Sequence, residues 1–227
     1  MPYTTGTIRK MEMAAGLMMI LSVLSILVAF LLKFEYTVPN ATFDEDVAFL
    51  IDNVMGQRTS AIAWIITGTV NLFFLPFYLI LFQRFQKGMH FLSSFFILAM
   101  AFIFFILGIN EWHLASLTEL DGDTDIILNG SVTTGILISI RNILILIKLG
   151  LTAFGAFTTV FTISRFSEVK FPVIGSTLAF LAGPVIITFT WLNPAHILMT
   201  SSLAAACTGL LIIGAHLVIK GLVLKNV

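Results

Sequence analysis

Apolar positions in this chain come in long runs rather than in stripes, and the runs are separated by short clusters of charge. A run must reach about 20 residues to carry a helix, at 1.5 Å per residue, through about 30 Å of hydrocarbon. Six runs qualify, and they predict helices near 12–33, 60–84, 88–110, 133–162, 172–192 and 196–219. The first follows Arg9 and Lys10, as a signal peptide would. Its apolar core is longer than a signal sequence uses and no small-x-small site follows, so it reads as a retained helix. The expected fold is all-α: a polytopic membrane protein in which 1–227 form a single six-transmembrane-helix bundle.

Between the runs, the Lys/Arg distribution sets the threading. One side receives Arg9, Lys10, Arg84, Lys87, Arg165, Lys170, Lys220 and Lys225. The other receives Lys33 and Arg58 with most of the acids, Glu35, Asp44, Glu45, Asp46, Asp52, Glu111, Glu119, Asp121, Asp123 and Asp125 among them. Both termini are therefore expected in the cytoplasm, with the chain a multi-pass protein of the cell membrane. In the first outer connection, Val47, Leu50, Ile51, Val54 and Met55 share one helical face. They predict a short amphipathic helix, lying on the outer surface or packed over the mouth of the bundle.

Composition agrees with the pattern: 58% of residues are hydrophobic, 11% are charged, and the mean hydropathy is +1.03. That is too little charge to cover a water-facing surface. The formal net charge is zero and no basic tract occurs, so nucleic acid is not an expected partner. A single cysteine, Cys207, rules out an intrachain disulfide and a cysteine-based zinc site.

Against this background two cations stand out. Arg141 and Lys148 lie seven residues apart, two turns on one face of the fourth helix. Arg141 can snorkel toward the outer headgroups. Lys148 falls near the helix midpoint, where a charge costs at least about 2.5–3.5 kcal/mol and usually faces the bundle interior or a wet cavity. No acid of the chain is expected at that depth. Asn71, Asn142, Cys207 and Thr208, with the carbonyls freed by Pro76 and Pro184, could build a polar pocket around it. The expected ligand-binding set is Lys148, Arg141, Asn71, Asn142 and Thr208. Three readings are open: Lys148 is neutral or solvated by carbonyls and water, it meets an acid of a partner membrane subunit or second copy, or an anionic lipid or small molecule supplies the charge. Pro76 and Pro184 each interrupt the second helix of a three-helix half, a pattern seen in transporters with inverted repeats.

The histidines carry the rival reading, a redox or metal-dependent membrane enzyme. His90 and His216 should share the inner level, His113 and His196 the outer, as bis-histidine haems require. Separations of 23 and 20 residues, read from the numbering, place the two levels at the headgroups, so no cofactor is expected. "NEWHL" reads as an interfacial anchor, with Glu111, His113 and His196 a candidate metal set. "DGDTDIILNGSV" starts like a calcium loop but has Ile126 for the required glycine and Val132 for the bidentate glutamate. Asn40 and Asn129 head glycosylation triplets on the outer side. No nucleotide-binding loop, nucleophile elbow, paired intramembrane aspartates, HExxH or histidine box occurs.

The opening "RKMEMAAGLMMILSVLSILVAF", the "VPN" that follows it and the later "YLILFQRFQ" resemble a family of bacterial and archaeal multi-helix membrane proteins grouped as a domain of unknown function. The likeness covers about the first 110 residues. It implies a multi-helix topology and carries no activity, cofactor or site residue.

Overall fold

In the computed structural model, residues 5–33, 49–82, 87–122, 130–166, 172–194 and 196–223 are described. They form α1 (Thr5–Leu31), α2 (Val54–Phe82), α3 (Lys87–Gly122), α4 (Gly130–Phe166), α5 (Val173–Leu192) and α6 (Ile197–Val223). All six are long and apolar enough to cross a membrane. Within lipid a helix satisfies every backbone group from inside its own segment, which is why runs of this length fold this way. No strand occurs among the described residues.

Each helix packs against its neighbours in sequence, and α6 packs against α1, closing a ring. The beginning of α1 meets the end of α6: a Cβ on Gly221 would stand 3.0 Å from the Arg9 carbonyl oxygen, and Lys220 Nζ donates to Glu12 Oε1 at 2.5 Å. Both ends of the described chain therefore lie on one side of the bundle. At the opposite end Arg58 of α2 pairs with Glu119 of α3. The interior is filled with aromatic side chains. Trp64 of α2 stacks on Phe104 of α3 at 5.2 Å and meets Phe30 of α1 edge-on at 5.1 Å. Phe74 and Tyr78 of α2 touch Phe157 of α4 across the ring, with centroids 6.4 and 6.2 Å away.

Small residues bring backbones together where α4 meets α5. A Cβ on Gly155 would lie 2.8 Å from the Gly183 carbonyl oxygen, and one on Gly183 would lie 2.6 Å from that of Gly155. Membrane helices lack a hydrophobic drive to associate, so close packing at such points holds them together. The same device recurs where Gly16 meets Gly214 and Gly175 meets Gly209.

All the helices but α5 outrun their expected bounds, α3 the furthest. α3 continues to Gly122, past the expected end at 110, and α4 begins at Gly130. Hydropathy marks where lipid contact ends, whereas the helix continues as long as one face has protein to pack on: Leu114, Ala115 and Thr118 are all fully buried. Helical residues also precede α2 at 49–52. Leu50 is buried in the core and its carbonyl accepts Gln57 Nε2 at 2.7 Å, so this segment packs on the bundle rather than lying free on a surface. Val47, Asn40 and Asn129 lie outside the described residues, as does most of the calcium-like loop.

Candidate functional site

On α4, Lys148, Thr152, Gly155 and Thr159 recur at intervals of four, three and four, and so share the face turned to α5. Gly155 meets Gly183 beside the middle of α5. Lys148, seven residues outward, lies about 10 Å from that level, abreast of Trp191 at the end of α5. The sequence places Lys148 at mid-membrane because it sits midway along α4. That helix has 37 residues, more than a bilayer needs, whereas α5 has 20 and is matched to it. Measured against α5, the ammonium sits near one end of the span rather than at its centre.

The ammonium has a built neighbour there. Thr152 Oγ1 donates to the Lys148 carbonyl at 2.8 Å and accepts the indole N–H of Trp191 at 2.9 Å. This tether holds the indole so that Lys148 Nζ stands 5.7 Å from the ring centroid. A cation over an aromatic face gains about 0.5–2 kcal/mol, more as water is excluded. Lys148 is half-buried, and among the described residues no carboxylate pairs with it. Arg141 and Asn142, two turns outward, are exposed.

The other residues expected around Lys148 are elsewhere. Asn71 is buried where α2 meets α1: its Oδ1 accepts Ser22 Oγ at 2.8 Å and its Nδ2 donates to the Thr67 carbonyl at 2.8 Å. These bonds go to α1 and to its own helix, not to α4. Thr208 is exposed on α6, next to the buried Cys207. Pro76 and Pro184 both face outward, so the kink positions do not converge on an interior site. Asn142, the next residue after Arg141, is rotated about 100° from it. The five-residue pocket is thus reduced to Lys148 with Arg141 on the same helix face. Trp191 and Thr152 complete it, and sequence reasoning missed both; a tryptophan at a helix end reads as a belt residue until its neighbour is known.

The metal set Glu111, His113 and His196 does not assemble. Positions two apart on a helix point to opposite sides: Glu111 is fully buried, while His113 is exposed. Glu111 is accordingly a core residue and not an interfacial anchor. His196 is spent on structure, its Nδ1 accepting the Leu198 N–H at 3.1 Å at the start of α6 and its ring stacking on Phe189 at 4.9 Å. No group of three metal-ligating side chains occurs among the described residues. The haem pairs need α3 and α6 side by side, and these are not neighbours in the ring. The side chain of His90 lies outside the described residues.

A second polar region occupies the α2–α3 seam toward the Arg58 end. Arg58 pairs with Glu119, and its guanidinium carbon stands 5.4 Å from the Trp112 ring centroid. Beside Trp112 opens a cavity of about 540 Å³ lined by Ile65, Ile109, Trp112, His113 and Ser116. Further along the seam a wholly apolar hollow of about 150 Å³ is lined by Gly68, Thr69, Leu72, Ala101, Phe102 and Phe105.

Comparison of the chain with models of known families, with curated proteins and with solved structures finds no match, so no family is assigned and the six-helix membrane fold stands on the chain's own residues.

Proposed function

We propose that this integral membrane protein is non-enzymatic and binds, senses or transports a lipid-like or small anion, held by Lys148 against Trp191 with Arg141 as a second cation two turns outward. The observation that carries this reading is a half-buried ammonium whose described neighbour is an aromatic face rather than a carboxylate. Partial burial of an ammonium is costly, and a cation–π contact of about 0.5–2 kcal/mol offsets only part of that cost. An anionic headgroup would offset the rest. The charge bias between connections supports a cell-membrane protein with both termini cytoplasmic. The histidine-based enzyme loses its support because Glu111 and His113 point to opposite sides of α3 and His196 caps a helix.

Native mass spectrometry of the protein released from mixed phosphatidylglycerol–phosphatidylcholine vesicles tests the site. Wild type should retain phosphatidylglycerol. Lys148→Met should lower its retention about tenfold, the loss expected for one charge-assisted contact, and Lys148→Arg should keep it. Equal retention by wild type and Lys148→Met overturns the proposal. A bound protein in place of lipid would favour the partner-subunit reading of the same ammonium.

A further inference from the structure

The groove on the α2–α3 seam is independent of Lys148 and has a gradient of its own. Its α2 wall carries Arg58, Ile65, Gly68, Thr69 and Leu72, a stripe at helical spacing. Its α3 wall carries Phe102, Phe105, Ile109, Trp112, Ser116 and Glu119, a matching stripe that runs the other way. The two cavities are successive stretches of this one seam. Close approach of the helices forms its floor, since a Cβ on Gly68 would stand 2.7 Å from the Ala101 carbonyl oxygen. From Trp112 to Phe102 the trough is about 15 Å long, roughly half of a 30 Å hydrocarbon layer. One end is wholly apolar. The other is lined by His113 and Ser116 and adjoins the Arg58–Glu119 pair, whose guanidinium stands over the lining Trp112.

We propose that this seam binds one phospholipid whose headgroup carries both a phosphate and a primary amine, with an acyl chain in the trough, the phosphate on Arg58 and the amine on Glu119. Charge complementarity selects this occupant. A cation and a carboxylate stand side by side at the mouth, their side chains 31% and 55% exposed, and match the two charges of a zwitterionic headgroup. The pair is joined through one guanidinium nitrogen and one carboxylate oxygen. Arg has five N–H donors and a carboxylate has two oxygens, so both retain capacity for a ligand. A purely anionic headgroup would meet Glu119 as well as Arg58. A choline headgroup has no N–H to donate.

The test uses the whole protein in vesicles containing phosphatidylethanolamine, phosphatidylglycerol and phosphatidylcholine in equal amounts, followed by native mass spectrometry. Phosphatidylethanolamine should be retained above its bulk share. Arg58→Gln combined with Glu119→Gln should bring its retention down about tenfold, toward the bulk ratio, as the charged contacts are lost. Ile109→Trp, a change at a residue 49% exposed on the groove wall, should displace the lipid with the fold intact, as judged by an unchanged melting temperature. Thr69→Phe should do the same from the apolar end. Lys148→Met should leave this lipid in place, which separates the groove from the α4–α5 seam. Phosphatidylethanolamine retained only at its bulk ratio, a preference for phosphatidylglycerol or phosphatidylcholine that persists in Lys148→Met, or phosphatidylethanolamine retention unchanged in the double variant or in well-folded Ile109→Trp overturns the proposal.

Discussion

Individual residues here acquire meaning from the face they occupy. Glu111, Trp112 and His113 are adjacent in sequence, yet the first is buried in the bundle and the next two are exposed. Lys148 gains a neighbour in Trp191 because Thr152 clamps the indole N–H. Thr152→Val should therefore loosen Trp191 and weaken anion retention at Lys148 severalfold, the worth of about one hydrogen bond of roughly 1 kcal/mol, with little change in melting temperature. Asn71 works differently, since it joins α1 to α2 through Ser22. Asn71→Leu should destabilise the protein by about 1 kcal/mol, whereas Thr208→Val, at an exposed position, should be neutral. Thermal melting in detergent compares the two.

At the scale of helices, unequal lengths determine which residues stand level. A 37-residue helix packed against a 20-residue one has no unique centre until a contact pins it. The Gly155–Gly183 approach is that contact. Gly155→Ala should cost about 1–3 kcal/mol, because the new methyl would press on the Gly183 carbonyl and force the helices apart. Gly135→Ala on the same helix is the control: a Cβ there would meet Leu117 Cδ1 at 3.8 Å, an ordinary contact. It should stabilise by about 0.5–1 kcal/mol through the lower backbone entropy of alanine. Opposite shifts in melting temperature for these two changes would verify that packing, rather than helix propensity, governs the α4–α5 seam.

The six long helices of the described residues form a ring closed by α1 against α6, with the Glu12–Lys220 pair and the Gly16–Gly214 approach at the closure. Ring closure places the two described chain ends together, and the cytoplasmic side proposed for them rests on the cation bias. Reporter tags at the two termini should therefore report the same compartment, the cytoplasm. Tags in opposite compartments would contradict the ring itself, and two external tags would contradict the charge reading alone.

Run length was enough to reveal the class, the number of helices and the order in which they cross, because the cost of backbone polar groups in hydrocarbon leaves a chain of 20 or more apolar residues few alternatives. The same rule made Arg141 and Lys148 conspicuous. It could not say what surrounds them. Whether Asn71 serves Lys148 or Ser22, whether Glu111 faces lipid or the core, and which tryptophan meets the ammonium depend on helix rotation and on the level at which neighbours are pinned. Those are decided by a few close glycine contacts and by interdigitating aromatics between residues far apart in the chain. Hydropathy, which reads only a residue and its neighbours in sequence, carries no information about them.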